Sequence, residues 1–183
     1  MIERIKKAVL EWVESFLTSV VILFTIYVLI AFPVVVEGES MYPTLHTRDQ
    51  LLIEKITPLF SGYSRGDIVV IHPPQMDYVN YIKRIVAMPG EKVKIHNCQL
   101  IIRVGKQEYV LDEKDYLDKS VCTVGGRSLR DGWEYSLSDD EYMVLGDNRN
   151  NSQDSRNFGL IKKERIQGKL VSLFWPFDRI KLY

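Results

Sequence analysis

Between Phe16 and Val36 the chain passes through 21 consecutive positions without a charge, FLTSVVILFTIYVLIAFPVVV, and nowhere later is an uncharged run comparably long. At about 1.5 Å per helical residue such a run covers the roughly 30 Å hydrocarbon core of a bilayer, which predicts one membrane-spanning helix over residues 16–36. Pro33 disfavours helix at Phe32, so the helix is expected to end near there and Val34 to Val36 to leave as extended chain. Trp12 is placed for the opposite interface. From Glu37 onward the pattern changes to short runs rich in Val, Ile, Leu and Tyr, bounded by Gly, Pro and Asp. That is a strand-and-turn pattern, with strands predicted at 50–56, 67–71, 81–88, 92–96, 100–104, 142–145 and 170–175. Turns fall at Ser61-Gly62, Pro73-Pro74, Pro89-Gly90, Gly125-Gly126 and Asp131-Gly132. Residues 97–133 are more polar than their flanks and read as a small inserted subdomain.

Composition narrows the class. The chain has 183 residues, enough for one domain with a core, and 24 basic against 24 acidic side chains, so it lacks the net positive field that nucleic-acid binding needs. Two other readings of the apolar run are a buried core helix and a cleaved signal peptide. A core helix rarely stays uncharged so long, and a signal peptide has a shorter apolar region followed by small residues. Arg4, Lys6 and Lys7 precede the span and favour a cytoplasmic N-terminus. The expected organisation is a cytoplasmic segment 1–15, a transmembrane anchor 16–36 in the lipid bilayer, and an extracytoplasmic portion 37–183. Cys98 and Cys122 are too few for a disulfide scaffold, although one bridge is open to them. His46, His72 and His96 lack metal-ligand spacing, and there is no P-loop or dinucleotide fingerprint; no metal and no cofactor is expected.

Three stretches carry candidate chemistry. The first, Glu37-Gly38-Glu39-Ser40-Met41-Tyr42-Pro43-Thr44-Leu45, follows the apolar run directly and holds Ser40 within about 13 Å of its end by chain length. Its bland reading is a solvated turn. The second is Tyr81 to Gly90. On a strand Tyr81, Lys83, Ile85 and Ala87 share one face, so apolar neighbours strip water from the Lys83 amine. Desolvation lowers a lysine pKa from about 10.4 and makes a usable base, whereas the commoner fate of a lone lysine is to snorkel from an edge strand. The third, Gly146 to Arg156, is almost wholly polar and directly follows an apolar strand. It reads either as an Asx-turn loop in solvent or as a support that holds a catalytic amine.

In this order, behind a single apolar segment, the stretches closely resemble the bacterial type I signal peptidases, membrane-bound serine proteases with a Ser/Lys dyad. Ser40-Met41-Tyr42-Pro43-Thr44 resembles the nucleophile box, Arg65-Gly66-Asp67-Ile68-Val69-Val70 the next strand motif, Tyr81-Ile82-Lys83-Arg84 the general-base box and Gly146 to Arg156 the last box. The resemblance implies a mostly antiparallel β catalytic domain with a small inserted subdomain. It implies Ser40 as nucleophile and Lys83 as general base, with Ser152 orienting the amine and the pairs Asp154 with Arg156 and Asp147 with Arg84 as support. The Ser40 backbone N–H would be one oxyanion donor. Gly38 stands where some members carry a serine hydroxyl as the second, which leaves main chain at that point. Asn150 stands where an aspartate is frequent. The implied substrate is the cleavage region of a secretory preprotein, bound as an added strand with small residues in pockets formed by Met41, Leu45, Val70, Tyr81 and Ile82.

Two alternatives compete. A self-cleaving Ser/Lys regulator of the repressor type predicts an N-terminal DNA-binding helix-turn-helix, in place of which this chain carries an apolar span. An anchored module that binds peptides without cutting them requires Lys83 to be exposed or distant from Ser40.

Overall fold

The computed structural model describes residues 2–74 and 76–183, without the side chains at 2, 3, 8, 26–29, 57 and 59; part of the expected span 16–36 therefore lies outside the described side chains. Contacts divide the chain into two compact units at Phe32.

The first unit is the helix α1, Ile2–Ile30. It begins well before the uncharged run and ends before Pro33, as the restriction that proline places on the preceding residue requires. Its apolar side chains lie in the open, with Trp12, Phe16 and Leu23 each more than half exposed. By length and composition Arg4–Thr25 is able to cross a membrane.

The second unit is mostly antiparallel β. Its strands are β1 (Ala31–Val35, which runs across the division), β2 (Gln50–Glu54), β3 (Ile68–Ile71), β4 (Tyr81–Ala87), β5 (Lys92–His96), β6 (Gln99–Val104), β7 (Gln107–Val110), β8 (Glu134–Ser136), β9 (Glu141–Leu145), β10 (Ile161–Lys162), β11 (Ile166–Trp175) and β12 (Lys181–Leu182). Two short helices, α2 (Thr57–Ser61) and α3 (Ser155–Phe158), lie in connections. Eight strands form one sheet in the order β1-β2-β11-β3-β4-β9-β10, with β12 also on β11; the other four form a second sheet, β7-β6-β5-β8. The second sheet thus takes in residues on both sides of 97–133. Cys98 and Cys122 are joined by a disulfide.

Period-two alternation sends the two faces of the central strands into different cores. Val86 of β4 and Met143 and Leu145 of β9 pack with Val93, Ile95, Leu100 and Ile102 of the second sheet. Ile85, Tyr142 and Val144 pack on the opposite side with Val69, Ile71 and Ile161. With both faces covered, β4 is buried from Ile82 to Ala87. The simple alternation expected for Tyr81, Lys83, Ile85 and Ala87 breaks at one place. The β4–β9 register shifts between Ile85 and Ala87, and Ala87 joins the Val86 side. An extra residue in one strand of a pair reverses the facing of the residues beyond it.

Candidate active site

Lys83 lies in the middle of β4, opposite Val69 of β3. Pairing with β9 begins only at Arg84, which faces Leu145. Tyr81 to Lys83 therefore have no strand beside them on that flank, and the chain leaving β9 at Gly146 passes close to the amine. A Cβ at Gly146 would overlap both Ser152 Oγ and Ser40 O, so only glycine lets the two segments approach this closely. Asn148 completes the tie, its backbone N–H donating to Ser40 O at 3.0 Å and its side-chain amide to Glu39 O at 3.1 Å.

These contacts bring Ser40 and Lys83, 43 residues apart, together. Lys83 Nζ donates to Ser40 Oγ at 2.8 Å and to Ile82 O at 2.9 Å, and lies 5.0 Å from the centre of the Tyr81 ring. The lysine is 2% exposed. Burial lowers its pKa from 10.5 to about 8, against an opposing pull from the Asp154 and Asp147 carboxylates. The Ser40 backbone N–H donates to no acceptor among the described residues. Gly38, with φ +89°, occupies a conformation that favours glycine, and its carbonyl accepts from Thr47 Oγ1.

Two buried ion pairs hold the surrounding loop. Asp147 receives Arg84 Nε at 2.8 Å and Nη2 at 2.6 Å, and also Thr44 Oγ1 at 2.5 Å. Asp154 receives Arg156 Nε and Nη2, both at 2.8 Å, and the Gly146 N–H at 3.1 Å. Fork-on-fork pairs of this kind are directional as well as strong, and they fix both ends of the loop. Ser152 Oγ is buried beside Gly146 and has no hydrogen-bond partner among the described residues. The lysine amine bonds to Ser40 and Ile82, and Ser152 is not among its partners.

A groove of about 620 Å³ runs past the dyad between residues 34–41 and 78–83. Of the residues expected to line substrate pockets, Met41, Tyr81 and Ile82 border it, whereas Leu45 and Val70 are fully buried and do not. A larger cavity of about 780 Å³ lies by Arg84, Thr44 and Tyr183, and contains neither Ser40 nor Lys83; size alone does not locate the chemistry. Asn150 is exposed. Among the described residues no group of three or more His, Cys, Asp and Glu side chains gathers to hold a metal ion.

One family model matches residues 9–175, described as signal peptidase, peptidase S26. The chain belongs to that family. It is 38% identical to signal peptidase I S of Bacillus subtilis, over 96% of this chain and 94% of that one. It is 36% identical to signal peptidase IB of Staphylococcus aureus over the same shares. A crystal structure of a signal peptidase I from Enterococcus faecalis aligns over 59% of this chain and 96% of that one, with 27% identity and a TM-score of 0.46.

Membership makes the chain a peptidase, and it sharpens one question about the site. Arg149, not singled out from the sequence, is buried and donates to Glu113 Oε1 at 2.5 Å and Oε2 at 3.1 Å, to Thr123 Oγ1, and to Gly146 O. Glu113 also accepts from Tyr116 OH at 2.7 Å, and the Tyr116 ring lies 4.1 Å from the Arg84 guanidinium carbon. One segment between the two cysteines of the disulfide thus braces two arginines, Arg84 next to Lys83 and Arg149 in the loop after Gly146. The polarity of 146–156 marked the loop, but the partner 36 residues away had no local signal.

Proposed function

We propose that this peptidase is a membrane-anchored serine endopeptidase that removes signal peptides from secretory preproteins after an Ala-x-Ala type site, with Ser40 as nucleophile and Lys83 as general base. The observation that carries the reading is a buried amine 2.8 Å from a serine hydroxyl, with its pKa brought down to about 8. At that value about one amine in ten is neutral at pH 7, compared with roughly one in 2,500 for an ordinary lysine.

The chemistry runs on these atoms. Neutral Lys83 keeps an N–H on Ile82 O and turns its lone pair to the Ser40 hydroxyl. Ser40 Oγ attacks the scissile carbonyl as its proton passes to Nζ. The oxyanion that forms is met by the free Ser40 N–H, with further main chain in place of a side-chain donor at Gly38. Collapse breaks the C–N bond, and the ammonium returns its proton to the leaving amine. A water then attacks the acyl-serine, with Lys83 again taking the proton and delivering it to Ser40 Oγ. The buried, unpartnered Ser152 hydroxyl suits a third contact for the ammonium, because an unmet buried hydroxyl carries a cost of about 1–3 kcal/mol that such a contact relieves. The pairs of Asp147 with Arg84 and Asp154 with Arg156 keep the loop in register.

The unpaired flank of Tyr81 to Lys83 suits an extended substrate added as a strand, with Met41, Tyr81 and Ile82 beside its small side chains. The apolar helix suits anchorage in a bacterial cell membrane, with the N-terminal end cytoplasmic, the span within α1 rather than reaching residue 36, because Ala31–Val35 pair into the sheet, and residues 37–183 extracytoplasmic, including the subdomain at about 97–133. A disulfide agrees with an oxidising compartment for that portion. The test is cleavage of a preprotein carrying an Ala-x-Ala site by the detergent-solubilised chain and by Ser40→Ala and Lys83→Ala. The parent should cut and both variants should lose nearly all activity. Cutting that survives Lys83→Ala removes the dyad, and an inert parent leaves a peptide-binding module.

A further inference from the structure

Beyond the dyad groove lies a second cavity, of about 290 Å³, and the two share Tyr81 and Gln153 in their walls. The Tyr81 ring is the partition. Lys83 Nζ lies 5.0 Å from its centre, and Phe158, on the wall of the second cavity, lies 6.4 Å from it, centre to centre. The walls of the second cavity are unlike those of the first. They combine apolar Pro73, Met76 and Phe158 with polar Arg127, Gln153 and Asn157, and no carboxylate is among them. Arg127 is exposed and forms no ion pair among the described residues, whereas Arg84, Arg149, Arg156 and Arg165 each hold a carboxylate. Gln153 is likewise exposed, with its amide uncommitted among the described residues.

Distance along the strand sets which part of a substrate reaches this place. Tyr81 and Lys83 are two residues apart on β4, about 7 Å. A peptide lying beside β4 with its scissile bond at the dyad therefore puts a residue roughly two positions from the cut over Tyr81, where a long side chain extends into the second cavity. We propose that this cavity is an additional subsite that accepts an acidic side chain of the substrate, with the carboxylate on Arg127, an N–H of the Gln153 amide as second donor, and the methylenes against Met76 and Phe158. The proposal rests on the catalytic reading of Ser40 and Lys83. It adds a charge preference to a site whose other contacts favour small, neutral residues.

The test uses the full chain in detergent micelles and one Ala-x-Ala peptide series, with Gln, Glu or Lys placed singly at each of three positions on either side of the cut. Within each protein the ratio of kcat/KM for the Glu peptide to that for the Gln peptide is measured. At one position about two residues from the cut the ratio should be about fivefold, the upper range for a solvent-accessible charge pair, and should fall as salt is raised. Arg127→Gln should bring it to about one, and Arg127→Glu should favour Lys. Binding of the same peptides, fluorescently labelled, to Ser40→Ala and to Ser40→Ala carrying Arg127→Gln reads the subsite without turnover. A charge preference in binding that follows Arg127 in a chain that cuts nothing sinks the catalytic reading and keeps the subsite. Cleavage with ratios near one at every position, or a ratio that persists in Arg127→Gln, overturns the subsite and leaves the catalytic reading intact. A chain that neither cuts nor discriminates in binding overturns both.

Discussion

Replacing Lys83 by methionine separates the cost of the buried amine from its use. The fold lowers the amine's pKa from 10.5 to about 8, chiefly by burial. Between those two values the unfolded chain holds a proton that the folded chain does not, so this group makes stability rise with pH over the window from 8 to 10.5. Below pH 8 the ammonium is present in both states and the folded one bears the full difference, about 3 kcal/mol at 1.36 kcal/mol per pH unit. Methionine matches the stem in length and has no proton to bind, so Lys83→Met lacks the entire effect. The bonds to Ser40 Oγ and Ile82 O are lost as well, which offsets the gain by about 1 kcal/mol for each, but that offset is nearly independent of pH. Denaturant unfolding of both proteins in the same micelles, followed by the fluorescence of Trp133 and Trp175, gives the difference in stability at each pH. That difference should move by about 3 kcal/mol in favour of the parent between pH 7 and pH 10.5. Parallel stability curves would refute the account, because they would mean that the amine is solvated in the folded chain.

The same pKa sets the activity profile: kcat/KM should climb through a midpoint near 8, about tenfold between pH 7 and pH 9, and a flat rate from pH 5 to 10 would rule out a titrating lysine base. Arg156→Gln leaves Asp154 without its cation, and the freed carboxylate favours the ammonium, so the midpoint should move to higher pH with activity partly restored there; loss at all pH values would mean a structural role alone. Glu113→Ala strands the Arg149 guanidinium in the interior and should destabilise the fold by about 3 kcal/mol in denaturant unfolding. Gly146→Ala forces Ser152 Oγ and Ser40 O each away from position 146 and should cost about 1–3 kcal/mol together with most of kcat, and an unchanged kcat would show that the close approach is not needed.

How much of this was legible in the sequence depended on whether the signal was local. The runs 68–71, 92–96 and 141–145 are largely apolar or alternating, 81–87 is apolar apart from Lys83 and Arg84, and the strands there fall within a residue or so of expectation. β7 and β8 are mostly exposed, carry no apolar face to betray them, and were not anticipated. Leu45 and Val70 were expected at pockets on the strength of their place in motifs. An apolar residue between two packed layers and one on a groove wall look alike in sequence, and only the layering places these two inside. The pairing of Cys98 with Cys122 stayed open for the same reason, since nothing near either cysteine says how the chain returns. Arg149 with Glu113 is the clearest case. Each lies in a polar stretch that reads as solvated, and only the fold makes one the other's buried partner.

The placement of carboxylates around Lys83 raises a physical difficulty that the fold resolves. As the proposed general base, the Lys83 amine is poorly served by anions, yet Asp147 and Asp154 both favour the ammonium. Each, however, is bound through both oxygens by an arginine, Asp147 by Arg84 and Asp154 by Arg156, which sets an opposite charge against it, and burial remains the largest influence on the amine. What remains of the carboxylates is their geometry. Asp154 fixes the Gly146 N–H, and Asp147 fixes Thr44, four residues beyond Ser40. Lone carboxylates would anchor the loop and charge the lysine, and apolar residues would leave the lysine neutral but the loop loose. Paired Asp and Arg residues do the anchoring while burial keeps control of the pKa.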